Sequence, residues 1–370
     1  YWSSLILPLV MFVFTGMYKT KYRRELVDDK DVIGRNTPII IILIMFGYYA
    51  FWACANNAVG DIGGYLQGFD NLSVNSSSVK SIFQGDSKGK LFALYRLLFK
   101  KYISTDAQLW LTSIQVFCGL VLSIVIYKYS ENAYISAFYF IASGYFTSWP
   151  LNGLRQYVAM ILVFAATKLM VENKLLPFIL IFTVAVMIHS TALIFVPLYL
   201  IAREKPWSKR IWIYIIFTLV VVFFIDNFTN LLESGLEGTE YEGGTVQFEH
   251  DDGANPIRTL VACVPVGIAI LYRKKIEEMN NPYIFAWVNF STAAVGMLLV
   301  ANLTSGILIG RFASYASIYH LLLYPVLFTK VIDKKYRPVL FMLFAALFVL
   351  YFKTECGDMV YSSDLTGYIK

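Results

Sequence analysis

Three ionisable side chains lie inside or beside apolar stretches of the chain, where a charge needs an explanation. Arg155 stands at the start of one apolar stretch, His189 interrupts a second, and Arg311 lies a few residues inside a third. Charges in membrane-grade segments are costly and therefore tend to mark functional sites. A guanidinium group binds phosphate oxygens through paired hydrogen bonds, and a histidine transfers protons near neutral pH. Together these residues predict a site for an anion, with a diphosphate as the natural ligand.

Nearby residues extend this site, and each also has a structural explanation. Gln156 can add a polar contact beside Arg155, and Arg258 can add a third arginine from the start of a later stretch. An arginine near the end of a span can also reach the membrane surface, which fits Arg155 and Arg258 better than the deeper Arg311. A histidine at a helix break can merely bond a backbone carbonyl, so a structural role stays open for His189.

The composition places these residues in a membrane protein. Of the 370 residues, 58% are hydrophobic and only 15% are charged, whereas soluble domains contain about 25% charged residues. The net charge of +6 comes from short basic connectors, so we expect no nucleic-acid partner. The four cysteines form no C-x-x-C pair, which argues against a zinc site or a disulfide framework. We therefore expect an all-α polytopic membrane protein.

Apolar stretches of the length needed to cross a bilayer recur along the whole chain. They predict about twelve transmembrane helices, some of them short. The predicted segments are 3–18, 37–55, 107–127, 133–149, 153–171, 175–188, 190–202, 211–225, 258–272, 283–302, 306–328 and 338–352. No cleavable signal peptide is visible, so the first segment counts as a span.

The distribution of charge orients these helices. Lysines and arginines gather in four connectors, which should face the cytoplasm by the positive-inside rule. These connectors are 19–35, 203–210, 273–275 and 330–337. The connector 226–257 has eight acidic residues and no lysine or arginine, so it should face outward. Arg155, His189 and Arg311 then lie at the same outer membrane face.

The apolar stretch 175–202 allows two interpretations. As one tilted helix it would be about 42 Å long, and basic connectors would then lie on opposite sides of the membrane. Two half-helices that meet at His189 keep every basic connector inside, and Ser190 and Thr191 can cap the second half. We expect this hairpin, with His189 at its outer apex.

Two outer segments complete the single integral membrane domain expected for residues 1–370. The segment 56–106 begins as a loop rich in glycine, asparagine and serine. Its last part, 88–103, has the apolar spacing of an interfacial helix with a basic face. That helix either rests on anionic headgroups or helps an anionic lipid reach the site. The acidic loop 226–257 is the second outer segment.

The acidic loop ends in a dense group of titratable residues. Glu249, His250, Asp251 and Asp252 form either a solvated surface or part of a lid that supplies a base. The chain has no GxxxxGK[ST] motif, no HExxH motif and no GxGxxG after a strand, and its early outer loop has no paired carboxylates. We therefore expect metal-independent chemistry without a cofactor.

Four motifs make the chain similar to the EpsG/Wzy-type bacterial polysaccharide polymerases. They are NGLRQYVAMILVF, MIHSTALIFVPLYL, GRFASYASIYH and VGDIGGYLQGF. In that family an Arg-Gln pair opens a span, a His-Ser or His-Thr pair breaks a hairpin, and an arginine with a later tyrosine marks a late helix. The matching positions are Arg155 with Gln156, His189 with Ser190, Arg311 with Tyr315, and Gly60, Asp61 and Tyr65 of the early outer motif.

The resemblance implies a specific activity. Such an enzyme polymerises undecaprenyl-diphosphate-linked oligosaccharide repeat units at the bacterial inner membrane, facing the periplasm or the cell exterior. It transfers the growing glycan from its lipid diphosphate to the non-reducing end of a new unit, and its fold would be similar to the GT-C-type glycosyltransferases. Its partners would be the lipid-linked donor and acceptor, membrane lipid, and flippase and chain-length regulator proteins.

For this activity the singled-out residues would take two kinds of role. His189, Arg155 and Arg311 would be the catalytic residues. Arg155 and Arg311, together with Gln156 and Arg258, would also hold the diphosphate. The candidate bases or acceptor-binding residues are Glu249, His250, Asp251, Asp252, Asp61, Tyr65 and Tyr315.

Two other functions stay open at this point. An O-antigen ligase or another membrane transferase would keep the outer arginine and histidine but use a different acceptor. A lipid-linked oligosaccharide flippase would also bind a diphosphate, but it should carry charges through both leaflets and show symmetry between its halves. Because the charges gather on one side and no symmetry is visible, the sequence favours the polymerase.

Overall fold

The protein is helical along nearly all of the chain that the computed structural model describes. The described residues are 2–15, 37–56, 60–74, 78–84, 89–224, 230–231, 234, 255–304, 306, 309–356, 361–363 and 366–369. The predicted connector 19–35 and nearly all of the acidic loop 226–257 lie outside them.

The helices follow one another with short connections. They are α1 Trp2–Thr15, α2 Ile39–Cys54, α3 Ile62–Asp70, α4 Ser78–Gln84, α5 Lys90–Tyr102, α6 Ala107–Tyr129, α7 Ala133–Ala142, α8 Tyr145–Ser148, α9 Leu154–Ala165, α10 Thr167–Val171, α11 Leu175–Ile188, α12 Phe195–Ile201, α13 Lys209–Phe223, α14 Pro256–Leu271, α15 Arg273–Met279, α16 Pro282–Leu303, α17 Ile309–Ser317, α18 His320–Val326 and α19 Arg337–Cys356. A 3₁₀ turn, Ser190–Ile194, precedes α12, and a π turn, Leu327–Val331, follows α18. Two short antiparallel strands, β1 Ser362–Ser363 and β2 Tyr368–Ile369, end the described chain.

The helices pack as two compact units. Unit 1 comprises Tyr1–Ala165, Met187–His189 and Tyr324–Lys370, and unit 2 comprises Ala166–Val186 and Ser190–Leu323. In unit 1, α2 packs along α6, and in unit 2, α16 packs against α13, α14 and α17. The expectation of a single membrane domain stays a prediction.

The helical membrane character expected from the sequence is confirmed. Every predicted segment contains helix over its described residues. By length and composition, three described helices can cross a bilayer, namely α6, α16 and α19, and two bent pairs raise the number to five. The bent pairs are α14 with α15 and α17 with α18 and the π turn. The other apolar helices are shorter, so the count of about twelve spans stays a prediction.

Aspartate and asparagine side chains determine where several helices begin. Asp106 accepts hydrogen bonds from the backbone N–H groups of Gln108 (2.8 Å) and Leu109 (3.1 Å) at the start of α6. Asn132 and Asn281 cap α7 and α16 in the same way. Such caps satisfy N–H groups that have no partner inside the helix. The helix starts therefore follow from local sequence, and they lie within a few residues of the predicted ones.

The predicted break in the stretch 175–202 is confirmed. Helix α11 ends at Ile188, His189 is not helical, and the 3₁₀ turn begins at Ser190. The break falls at three consecutive polar residues, His189, Ser190 and Thr191, where the hydroxyl groups can bond the backbone locally. The hairpin itself stays a prediction.

The loop expected at the start of the segment 56–106 is wrong in its middle, because Ile62–Asp70 forms α3. This helix contains three glycines, which are poor helix formers, so tertiary contacts must hold it. Phe69 is fully buried and stacks on Trp110 of α6, with ring centroids 5.1 Å apart. The ammonium group of Lys100 donates to the carbonyls of Phe69 (2.8 Å) and Asp70 (2.7 Å) at the C-terminal end of α3. A cation there satisfies end carbonyls and complements the helix dipole.

In unit 2 the buried side chain of Asn289 holds the connection that follows α12. Its Nδ2 atom donates to the carbonyls of Ile201 (2.9 Å) and Glu204 (2.7 Å). The amide therefore supplies donors to backbone carbonyls near a helix end, which the helix itself cannot satisfy.

We expect Asn289→Leu to destabilise the folded protein by about 1–2 kcal/mol, because a buried carbonyl loses its donor. Thr292→Val on the same helix is the matched control. The Thr292 hydroxyl donates to the carbonyl of Val288, one turn earlier in α16, so its loss should cost little. Thermal unfolding in detergent measures both. Equal melting temperatures for the two variants would contradict this account of the contact.

Candidate functional site

A cavity of about 670 Å³ opens in unit 1. Three elements that are distant in sequence form its wall: the early motif with α3, the helix α5, and the start of α9. The cavity is lined by Gly60, Asp61, Gly64, Tyr65, Phe92, Ala93, Arg96 and Arg155. The structure therefore brings Asp61, Tyr65 and Arg155, three residues selected from the sequence, to one cavity.

A close backbone approach joins the early motif to the turn that precedes α9. The backbone N–H of Asp61 donates to Oδ1 of Asn152, at 3.1 Å. Gly60 has a φ of +59°, and a Cβ atom there would lie 2.8 Å from the same Asn152 oxygen and from the Leu151 carbonyl oxygen. Only glycine fits such a contact without strain. The contact fixes Asp61 beside the first turn of α9, which carries Arg155.

Arg96 is the second arginine of this cavity, and the sequence interpretation missed it. The sequence placed it on the basic face of an interfacial helix. Its position, however, is one helical turn from the buried Phe92 and one turn from Lys100, which bonds α3. This i, i+4 spacing places Arg96 on the packed face of α5. It is the feature of the sequence that could have identified Arg96 as a half-buried arginine.

The two guanidinium groups act on each other electrostatically. Burial, and then the charge of Arg155, lower the pKa of Arg96 from its ordinary value. An arginine nevertheless stays protonated in a protein, so both charges remain. The Nε atom of Arg96 is buried and has no hydrogen-bond partner among the described residues. The cavity therefore contains two like charges and an unused donor, which suits a ligand with several negative oxygens.

A second glycine contact brings the break at His189 towards this cavity. Gly89 precedes α5 with a φ of +71°, and a Cβ atom there would lie 2.5 Å from the carbonyl oxygen of Ile188. The same Cβ position is 3.6 Å from Cδ of Arg155. The end of α11 and the side chain of Arg155 thus both lie close to Gly89. His189, which follows Ile188 directly, is half-buried.

The late motif has its own contacts within unit 2. The buried hydroxyl of Tyr315 lies 3.1 Å from Oγ1 of Thr191, so α17 is bonded to the 3₁₀ turn that follows His189. The Tyr315 ring also packs edge-on against Phe195 at 5.7 Å. Arg311 is half-buried on α17, and its carbonyl accepts from the Ser314 hydroxyl. Two of the motifs selected from the sequence therefore meet.

The remaining selected residues are placed as follows. Gln156 is buried on α9, one residue after Arg155, and Arg258 is exposed on α14. The group Glu249, His250, Asp251 and Asp252 lies outside the described residues. In the part of the chain that the structure describes, no three His, Cys, Asp or Glu side chains gather as a metal site.

The apolar helices and the arginine-lined cavity define the class of this chain as a helical membrane protein with a cationic site. The chain belongs to the EpsG family, whose family model matches residues 39–359. The match includes every helix that lines the cavity, and it confirms the resemblance at the level of the family. Membership indicates a polysaccharide polymerase-type membrane protein of the glycosyltransferase kind. No curated protein and no solved structure matches the chain.

We expect Gly89→Ala to destabilise the protein by about 1–3 kcal/mol, because the new Cβ strains a positive φ and meets the Ile188 carbonyl. Gly47→Ala is the matched control, since Gly47 is helical and a Cβ atom there has no neighbour within 4 Å. Thermal unfolding in detergent compares the two. A Gly89→Ala protein as stable as Gly47→Ala would show that the close approach is absent.

Proposed function

We propose that this protein polymerises lipid-linked oligosaccharide repeat units, with undecaprenyl diphosphate as the carrier. The observation that carries the proposal is the presence of Arg96 and Arg155 in one cavity. Two like charges in a shared cavity repel each other, and an anion bound between them would offset that repulsion. A diphosphate supplies several oxygens and more than one negative charge, so it can occupy both guanidinium groups at once.

The start of α9 supports the same ligand. Arg155 is the second residue of this helix of 12 residues, so its side chain extends from the first turn, at the N-terminal end of the helix. The N-terminal end of a helix carries partial positive charge and favours phosphate groups. The arginines and the helix end therefore attract an anion to the same place.

The proposed reaction uses these charges on the leaving group. A hydroxyl oxygen of the acceptor unit bonds to the anomeric carbon of the donor glycan. The bond from that carbon to the phosphate oxygen breaks, and its electron pair leaves with the lipid diphosphate. Arg96 and Arg155 stabilise the negative charge that develops there, without needing a metal ion.

A base must take the proton of the attacking hydroxyl, and we assign this role to His189. A histidine titrates near neutral pH, so it can accept a proton and release it again. The contact of Gly89 with both Ile188 and Arg155 supports a position of His189 near the leaving group. Asp61 and Tyr65, which line the cavity, are the alternative bases or acceptor-binding residues.

The finer features of the proposal come from the family resemblance and from sequence position. They include about twelve spans in a GT-C-type arrangement and an active site on the outer face of the bacterial inner membrane. Arg311, Gln156 and Arg258 would assist diphosphate binding, and Tyr315 would serve the acceptor side. The residues Glu249–Asp252 would form a lid over the acceptor.

We expect Arg96→Ala and Arg155→Ala each to reduce polymer at least about 100-fold, the usual effect of removing a donor that stabilises a developing anion. The assay is the glycan ladder from a deletion strain complemented with each variant, at equal membrane expression. Arg273→Ala is the matched control, because Arg273 is exposed on α15 and is not among the residues that line the cavity.

The outcomes separate the three candidate functions. Loss of the ladder, with single repeat units still reaching the outer surface, supports the polymerase. Lipid-linked units that accumulate on the cytoplasmic face would support a flippase instead. A normal ladder whose chains are not joined to their final acceptor would indicate a ligase.

The base assignment has a separate test in the same strain. His189→Gln keeps hydrogen-bonding capacity but cannot carry the proton, so we expect polymer to fall about 100- to 10,000-fold. Gln115→Ala, which removes a hydrogen bond from unit 1 without touching the cavity, shows the effect of a structural loss alone. A His189→Gln strain with a wild-type ladder would rule out this base.

A further inference from the structure

The cavity is larger than a diphosphate alone requires. Its volume of about 670 Å³ is typical of sites that enclose a ligand of drug size. In a lipid-linked glycan the first sugar is bonded directly to the diphosphate. A ligand whose phosphates lie at Arg96 and Arg155 must therefore bring that sugar into the same cavity or to its rim.

The wall formed by α3 has a position without a side chain, Gly64, one helical turn from the residue that lies beside Arg96. A Cβ atom at Gly68 would lie 3.3 Å from the Arg96 guanidinium, so this part of α3 is already in contact with the charge. Gly64, one helical turn earlier, also lines the cavity, and a Cβ atom there has no neighbour within 4 Å. One turn is about 5.4 Å, which is close to the width of a sugar ring.

An aromatic ring lies beside this bare position. Tyr65 lines the cavity next to Gly64, and its ring packs edge-on against Phe92 with centroids 5.9 Å apart. Phe92 is itself buried on α5, so it holds the tyrosine ring in place. A ring of this kind offers an apolar face and a hydroxyl group together, which matches the mixed surface of a sugar.

We propose that the sugar joined to the diphosphate packs against the backbone of α3 at Gly64 and against Tyr65, so that residue 64 limits which sugar the site accepts. This inference rests on the proposed function, because it takes the arginines as the diphosphate site. The inference goes beyond the proposed function by naming what α3 contacts, namely the sugar that is joined to the diphosphate. A side chain at position 64 would occupy the place of that sugar and leave the diphosphate position open.

The test is a binding measurement on the purified full-length protein in nanodiscs with two probes. One probe is undecaprenyl diphosphate without sugar, and the other is the lipid-linked repeat unit extracted from the deletion strain. The variants are Gly64→Ala and Gly64→Leu. Gly267→Leu is the matched control, because Gly267 is also an exposed helical glycine with no neighbour within 4 Å of a Cβ atom. Alanine and leucine favour helix over glycine, and a thermal melt checks the fold of each variant.

We expect Gly64→Leu to weaken binding of the lipid-linked repeat unit about tenfold or more, as excess groups in a substrate pocket do. Gly64→Ala should have a smaller effect in the same direction, and Gly267→Leu should have none. Binding of undecaprenyl diphosphate should be the same in all of these proteins.

Two results would overturn the inference while leaving the proposed function intact. Equal weakening of both probes would place residue 64 beside the diphosphate, and unchanged binding of both would show that no sugar lies there. The proposed function fails separately, when Arg96→Ala and Arg155→Ala bind undecaprenyl diphosphate as tightly as the wild-type protein does.

Discussion

The stacking of Phe69 on Trp110 holds in place a helix that its own sequence would not stabilise. Helix α3 has nine residues and three glycines, so its intrinsic tendency to form is low. Burial of Phe69 and the bonds from Lys100 to its last carbonyls supply what propensity does not. Because α3 forms one wall of the cavity, the position of the arginine-lined site depends on this packing.

Glycine positions then allow backbone segments in and around the cavity to approach one another closely. At Gly60 the backbone meets Asn152, at Gly68 it meets the Arg96 guanidinium, and at Gly89 it meets the carbonyl of Ile188. In the first and third of these contacts, a side chain would collide with atoms less than 3 Å away. The cavity is therefore built from backbone segments that approach closely. This explains how residues from the early motif, α5 and α9 come to line one cavity.

The charge of the cavity follows from that construction. Arg155 stands at the start of α9 and Arg96 on α5, so two separate helices carry the two guanidinium groups that line the cavity. An anion with more than one negative oxygen would offset the repulsion between these two charges, which is the physical basis of the proposed diphosphate site.

The sequence alone determined the helical membrane class, most helix limits and the break at His189, and it selected Arg155, which the structure places at the cavity. These features depend on local information, namely apolar runs and Asp or Asn caps, which act over a few residues. Only the tertiary structure decided that Arg96 joins Arg155 and that a glycine-rich segment becomes α3. Both depend on contacts between residues far apart in sequence, such as Phe69 with Trp110, where packing energy overrides local propensity. Periodicity can show which face of α5 is packed, but only the folded chain shows what it packs against.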